Sequence, residues 1–271
     1  MKRFVNSKTI PLVVLLSSLV ASALHLWAQG SGPDDKGLYE SNLLAWGLLW
    51  LLTAATVAAV VFAVKGLKNP GSYEQNYPKS VVAGLCAMPA AVIMLLSNAQ
   101  LLLPVAASAD QSNIMIMRLA GILGVLAGAC LLAVSVYRIQ GKKPFFLFNG
   151  VVCLYLAVRL FYSCFRWSNQ PQLGLVILPF LASVTLMLST YHRLCFDVDL
   201  GKRPGAALWG LISVFLCVVA IFSFEDPLFY GMCALWKLTD LCSMRPLKSR
   251  PQVEQPGTEP PQDIQAPEEQ G

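Results

Sequence analysis

Long apolar runs alternate with short polar segments over the first 245 residues of the chain. Most runs are about 20 residues long, and at ~1.5 Å per residue a helix of that length crosses the ~30 Å hydrocarbon core of a bilayer. The pattern predicts an all-α, polytopic membrane helix bundle of seven to eight transmembrane helices. The predicted spans cover about residues 10–27, 43–64, 81–103, 117–137, 145–167, 173–191 and 206–224, with a shorter run at 228–241.

The last run is too short to cross as the others do. About 14 residues reach only ~21 Å, against a ~30 Å core. It forms either a short eighth span sheltered by its neighbours or a re-entrant or interfacial helix. Arg245, Lys248 and Arg250 follow it, and basic residues favour the cytoplasmic side and therefore a crossing. Residues 246–271 are rich in Pro, Gln and Glu, which predicts a disordered cytoplasmic tail.

Lysine and arginine collect in alternate loops. The N-terminus and segments 65–79, 138–143 and 192–203 are basic, whereas 28–42, 104–116 and 225–227 are acidic or nearly free of basic residues. Because short basic loops stay in the cytoplasm, we expect a multi-pass protein of the cell membrane whose N-terminus and, with an even number of spans, C-terminus are cytoplasmic. Ala21-Ser22-Ala23 resembles a signal-peptidase site, so the first run is either retained as a span or cleaved.

The composition excludes most soluble classes of protein. Hydrophobic residues make up 56% of the chain and charged residues 13%, about half the ~25% charged share of an average soluble domain. The basic residues are spread over several loops and form no patch for nucleic acid. Eight cysteines occur without a CxxC pair, and the two histidines, His25 and His192, lie far apart. We expect no metal or other cofactor, and interpret the cysteines as small buried side chains.

Small residues recur at every fourth position on three predicted spans. They are Ala55, Ala59 and Ala63 on the second, Ala83, Ala87 and Ala91 on the third, and Ala120, Gly124 and Gly128 on the fourth. This spacing lets helix backbones approach closely where lipid provides no hydrophobic drive for association. We expect these spans to form the tightest part of the bundle. The fourth-span stripe serves either packing within the chain, which we favour, or a homodimer.

Arg159 lies well inside an apolar run, about eight residues or ~12 Å from the outer end of the fifth span. A charge at that depth must be paired, hydrated or extended towards the headgroups. The candidate outer-side polar pocket comprises Arg159, Tyr155, Tyr162, Arg166, Asn98, Gln100 and Glu225. Asp226 follows Glu225 at the end of the seventh span and could line the same pocket. In the alternative interpretation the arginines snorkel to outer headgroups and the tyrosines form an aromatic belt. His25, near the end of the first span, is expected to be interfacial.

Two other groups of charged residues are expected to be structural. Segment 191–199 carries a histidine and two aspartates. They could act as an acid–base set, but the basic residues at 202 and 203 favour charge balance at the surface. On the last run, Lys237 and Asp240 are three residues apart, so we expect them to neutralise each other.

Motifs for catalysis are missing from the sequence, which has no P-loop, HExxH, GxSxG or glycine-rich dinucleotide turn. We therefore expect a protein that is not an enzyme. The first hypothesis is a non-catalytic accessory, sensory or assembly component that acts in the lipid bilayer through membrane-protein partners. The spans lack the paired acids expected of a proton-coupled pump, which favours this hypothesis. The alternative is a small-molecule transporter or permease-like protein with an outward-facing polar pocket.

Overall fold

The described part of the chain is helical throughout. The computed structural model describes residues 9–30, 42–65, 67, 71–102, 114–167, 173–223 and 226–244. The helices are α1 Thr9–Gln29, α2 Leu43–Val64, α3 Tyr73–Asn76, α4 Val81–Leu101, α5 Ile114–Gln140, α6 Phe146–Trp167, α7 Leu173–Asp197, α8 Arg203–Ala220 and α9 Pro227–Cys242. No strand occurs over these ranges, which confirms the predicted all-α class.

Six of the described helices are long and apolar enough to cross a membrane, namely α1, α2, α4, α5, α6 and α8. The protein is therefore a multi-pass helical membrane bundle. The predicted total of seven or eight spans depends on α7 and α9. At ~1.5 Å per residue, the 25 residues of α7 extend ~37 Å and the 16 residues of α9 only ~24 Å. That total stays a prediction, as does the tail at 246–271, which lies outside the described residues.

Six helices form a closed ring. In it α4 packs against α5, α5 against α6, α6 against α7, α7 against α8, and α8 against α9, which returns to α4. Polar side chains at α9 also reach α5, α6 and α7 across the interior. The helices α1 and α2 pack on each other and on α8. The helices α5, α7 and α9 all end on the same side of the ring, and we call that side the basic end. We call the other side the opposite end.

The helix α8 lies between the rest of the ring and the α1–α2 pair. Every residue from Leu211 to Ala220 is buried, which accounts for a stretch that is apolar on all sides. The outer faces of α1, α2 and α4, by contrast, expose large apolar side chains such as Leu12, Phe62 and Leu96. Exposed apolar surface of this extent is stable in contact with lipid rather than water.

The small-residue stripes of α4 and α5 face each other. A Cβ added to Gly124 would lie 2.1 Å from Asn98 Cγ, and one added to Gly128 would lie 2.9 Å from the Ala91 carbonyl oxygen. Side chains at these positions would push the two helices apart, so their close approach requires glycine. The fourth-span stripe therefore packs within the chain, which confirms the interpretation we favoured.

The expectation for the stripe on α2 is wrong. Ala55 and Ala59 are exposed and Ala63 is half-buried, so this stripe lies mainly on an outer face. The helix instead buries Leu49 and Val60, and it packs on α1 and α8. Because α2 is apolar on every side, small-residue spacing by itself did not specify which face would be buried.

The sequence pattern did not predict two features at the basic end. The short helix α3 lies between α2 and α4, and α7 continues past the predicted end at 191 to Asp197. Phe196, in the added turns, packs edge-on against Tyr77, with ring centroids 5.3 Å apart. Both rings are buried. The added turns of α7 thus bury an aromatic pair that a helix ending at 191 would leave unformed.

Candidate functional site

The side chain of Arg159 lies between α6 and the start of α9 at the opposite end. Its Nη2 donates to Asp226 Oδ2 at 2.5 Å and its Nη1 to the Tyr155 hydroxyl at 3.3 Å. The guanidinium carbon is 3.9 Å from the centre of the Phe229 ring, a cation–π distance. With 13% of the side chain exposed, Arg159 is paired inside the protein. The snorkelling alternative is therefore wrong for this residue.

Tyr155 and Asn98 extend the hydrogen bonding of Arg159 into the interior of the bundle. Asn98 Nδ2 donates to the Tyr155 hydroxyl at 2.8 Å and to the Met94 carbonyl at 2.7 Å. Both side chains are buried, and Gly124 of α5 leaves the space that Asn98 occupies. The hydrogen bonding of the site and the packing of α4 on α5 therefore depend on each other. We call Asp226, Arg159, Tyr155 and Asn98 the Arg159 cluster.

Asp226 enters this cluster from an unusual backbone conformation. It is the N-cap of α9, with φ 46° and ψ 51°, in the left-handed region. Few residues other than glycine adopt it, although Asp tolerates it better than most. Pro227 then begins the helix, as proline commonly does. The turn thus places the Asp226 carboxylate within hydrogen-bonding distance of Arg159.

Three of the seven predicted pocket residues come together, namely Arg159, Tyr155 and Asn98. Gln100 is exposed and Tyr162 is half-buried, and neither hydrogen-bonds to the Arg159 cluster. The side chain of Arg166 and the whole of Glu225 lie outside the described residues. Asp226, one position after the predicted Glu225, supplies the carboxylate. The sequence thus predicted the centre of the site and Asp226 as an acid beside it, but not that Asp226 pairs with Arg159.

Two buried polar contacts join α7 and α9 farther along the ring. The Tyr230 hydroxyl lies 3.1 Å from Ser183 Oγ. Lys237 Nζ donates to Thr190 Oγ1 at 3.0 Å, and 2% of Lys237 is exposed. No carboxylate of the described residues lies within 4 Å of this ammonium. Lys237 and Asp240, expected to neutralise each other, therefore form no direct ion pair. The partners of this buried ammonium are the Thr190 hydroxyl and the Trp236 ring, whose centre lies 4.0 Å from Nζ.

Asp240 is held instead by two arginines at the basic end. Arg193 Nη1 lies 3.2 Å from each carboxylate oxygen, and Arg138 Nη2 lies 3.7 Å from Oδ1. Arg138 also donates to Ser243 Oγ at 2.5 Å. Both arginines are only 4% exposed. We call Arg138, Arg193, Asp240, Tyr73, Tyr77, Asn149 and Asp197 the Arg138 cluster.

Two tyrosines from the segment between α2 and α4 pack on the arginines of the Arg138 cluster. The guanidinium carbon of Arg193 lies 3.5 Å from the centre of the Tyr77 ring, and that of Arg138 lies 4.8 Å from it. Burial raises the pKa of Tyr77 to about 12, so its hydroxyl is protonated at neutral pH. We call residues 71–80, which carry both tyrosines, the cap. The Tyr73 N–H donates to Asp199 Oδ1 at 2.9 Å, which connects the cap to the end of α7.

Segment 191–199 differs from the surface role expected for it. Asp197 is buried and accepts a hydrogen bond from Asn149 Nδ2 at 2.6 Å. Asp199 is exposed, but its partner is Lys143 rather than the basic residues at 202 and 203. Lys143 and the Tyr73 N–H hold the pKa of Asp199 below its usual range. The expectation of surface charge balance is wrong for Asp197, because the extended α7 carries it beneath the cap.

His25 is buried within α1 rather than interfacial. None of its surface is exposed, and its ring packs edge-on against Trp46 with centroids 5.7 Å apart. Its Nε2 lies 2.9 Å from Gln29 Nε2. Since α1 is not part of the ring, His25 belongs to neither cluster.

All eight cysteines are free thiols. Cys217 and Cys233 are buried as expected, whereas Cys164 and Cys242 are exposed, which the interpretation as buried side chains did not anticipate. In the part of the chain that the structure describes, no group of three His, Cys, Asp or Glu side chains is placed to hold a metal ion.

The two clusters are connected by one face of α9. At 3.6 residues per turn, Asp226, Tyr230, Lys237 and Asp240 fall on one side of this helix, and all four contact α5, α6 or α7. The two aspartates are 14 positions apart, or ~21 Å along the axis. This polar face was the signal in the sequence that could have revealed the Arg138 cluster. The arrangement holds ion pairs at two separate depths.

No protein-family model, curated protein or solved structure matches this chain. The functional argument therefore rests on the two clusters and on the polar face of α9.

Proposed function

We propose that the protein is a membrane transport protein, not an enzyme, and that a small polar solute passes through the ring of α4 to α9. The polar face of α9 carries this proposal, since it places Tyr230 and Lys237 in the buried interior between the two clusters. Ionisable side chains inside a membrane bundle are costly, and they commonly mark solute or ion pathways.

The two clusters serve as the closed gates of this path. At the opposite end, Arg159 pairs with Asp226, and at the basic end Arg193 pairs with Asp240. Since both aspartates belong to α9 or its cap, a movement of α9 relative to α6 would break the first pair, and a movement relative to α7 would break the second. Opening two gates in alternation around a central site is the general scheme of secondary transporters.

In the proposed orientation the basic end faces the cytoplasm of the cell membrane, together with both termini. The alternation of basic and acidic segments supports this orientation. Topology reporters fused after Ser249 and within 28–42 test it. We expect cytoplasmic activity from the first fusion and external activity from the second. External activity from the fusion after Ser249 would mean an odd number of crossings.

Transport is tested with purified protein in liposomes offered radiolabelled amino acids, short carboxylates, inorganic phosphate and sugars in turn. We expect saturable uptake of one solute class, and Arg159→Leu should reduce it at least about tenfold, the equivalent of ~1.4 kcal/mol. Arg118→Leu is the matched control, because Arg118 is exposed on α5 and contacts neither cluster. Folded protein that takes up none of these classes above the level of empty liposomes contradicts the proposal.

The outward stripe on α2 favours a second candidate function, that of an accessory or assembly component with a membrane-protein partner. Ala55 and Ala59 are exposed, although small residues at this spacing commonly pack against another helix. Ala59→Leu should then release a partner that co-purifies with the wild-type protein, whereas Phe62→Leu, also at an exposed position, should not. Retention of the partner by Ala59→Leu would remove this stripe from consideration.

A further inference from the structure

A small cavity, lined by both apolar and polar side chains, lies within the Arg138 cluster. Its volume is about 10 Å³, close to the room that one water molecule needs. Arg138, Arg193, Asn149, Trp236 and Asp240 form the polar part of its wall, and α4 contributes only the small side chains of Ala83 and Ala87. The site therefore has room for one small particle and has charged groups around it.

Arg138 offers this cavity hydrogen-bond donors that no described protein group accepts. Its Nη2 is engaged by Ser243 and Asp240. Its Nε and Nη1 are buried and have no hydrogen-bond partner in the described part of the chain. A guanidinium N–H removed from water and left unpaired is costly, so each of these atoms calls for an acceptor of its own. Asn149 Oδ1, also on the cavity wall, is buried without a hydrogen-bond partner in the described part of the chain.

The charges around the cavity do not balance. The charged side chains that line it are the cations Arg138 and Arg193 and the carboxylate Asp240. Two positive groups thus face one negative group, which leaves one positive charge in surplus. The pair of Lys143 and Asp199 on the surface is neutral and does not change the count.

We propose that the cavity binds a small monovalent anion of halide size, with chloride as the natural occupant. The ion accepts a hydrogen bond from one of the two donors of Arg138, Nε or Nη1, and supplies the missing negative charge. Repulsion from Asp240 is limited because Arg193 already holds that carboxylate at 3.2 Å. The anion site does not depend on the proposed transport activity.

The direct test is a titration of the purified protein in detergent. Sodium chloride replaces sodium gluconate at constant ionic strength, so that screening of surface charge stays the same. A ligand that binds only the folded state raises the melting temperature in proportion to its occupancy. At chloride concentrations about a hundredfold above Kd we expect a rise of roughly 5 °C or more that follows a saturation curve.

Bromide provides a readout that reports the site itself. Trp236 lines the cavity, so bound bromide should quench its fluorescence at concentrations that produce the thermal shift. Trp236→Phe should lose this saturable quenching and keep the shift with chloride. Quenching that rises linearly with bromide and is unaffected by Trp236→Phe would reflect collisions at other tryptophans and would count against the proposal.

Two variants alter the site in different ways. Arg138→Gln removes the donors, and Ala83→Val fills the cavity without changing any charge. Both should abolish the chloride-dependent shift, and Arg118→Gln, an exposed arginine elsewhere on α5, should retain it. If Arg138→Gln does not fold, the chloride-dependent shift of Ala83→Val is sufficient to test the proposal. A shift that chloride and gluconate produce equally, or one that persists in Ala83→Val, would show that a water molecule occupies the cavity and would overturn the proposal.

Discussion

The two ends of the ring hold buried charge in different ways. At the opposite end, one arginine, Arg159, meets one aspartate, Asp226, whose side chain is 56% exposed. At the basic end, Arg138 and Arg193 share Asp240, which is 18% exposed. Water can stabilise Asp226 when its pair breaks but reaches Asp240 poorly. We therefore infer that, in the proposed transport cycle, the Arg159 gate opens more readily than the Arg138 gate.

The largest expected effect lies at Asp240. Asp240→Asn removes the carboxylate and leaves two buried guanidinium groups without it, so the free energy of unfolding should fall by about 3–5 kcal/mol. Reversible unfolding in detergent, followed by circular dichroism, measures the loss. Asp226→Asn is the matched control at the other end, and it should cost about 1 kcal/mol or less. Equal losses for the two variants would remove the contrast between the ends.

Packing beneath the Arg159 cluster should give the next effect. Gly124→Ala brings a Cβ to 2.1 Å from Asn98 Cγ, so Asn98 must leave Tyr155, and overpacking of this kind costs ~1–3 kcal/mol. Gly150→Ala meets nothing within 4 Å and should be neutral or stabilising by up to ~1 kcal/mol. Thermal unfolding of both variants tests the difference. The cost of Gly124→Ala should shrink when Asn98→Ala is added, and an unchanged cost would point to another displaced group.

Double-mutant cycles sharpen the comparison of the gates themselves. The coupling free energy between Arg159 and Asp226 should be about 0.5–1 kcal/mol, because one partner is exposed. The coupling free energy between Arg193 and Asp240 should be about 2–3 kcal/mol, because both side chains are mostly buried. Alanine replacements, singly and together, provide the four unfolding measurements for each cycle. Coupling that is larger for the Arg159 pair would reverse our order of gate strength.

The smallest effect concerns the exposed pair beside the basic end. Lys143 and the Tyr73 N–H lower the pKa of Asp199 in the folded protein. The stabilisation is therefore present above the pKa of an unfolded aspartate and is lost as the pH falls through the lower folded-state pKa. Since the pair is exposed, it contributes less than ~1 kcal/mol. The melting temperatures of the wild type and Asp199→Asn should differ at neutral pH and converge in acid. A gap that widens in acid would contradict this direction.

The Arg159 cluster could be predicted in part because a charge inside an apolar run has few explanations. Arg138 and Arg193 gave no such signal, since arginines at helix ends are expected from membrane topology alone. Their burial follows from α3 and the added turns of α7, which place Tyr77 over both guanidinium groups. The Arg138 cluster is assembled from residues that lie far apart in the sequence, so no local sequence pattern indicates it.

The membrane class and the approximate positions of the long helices were determined by the sequence itself, because hydropathy and helix propensity are local properties of the chain. Only the tertiary structure decided that the stripes of α4 and α5 pack together while that of α2 faces outward, and that Asp240 pairs with two arginines instead of with Lys237. The physical reason is that helices apolar on all sides can rotate and slide to many positions, and the facing side chains of their neighbours select one of them.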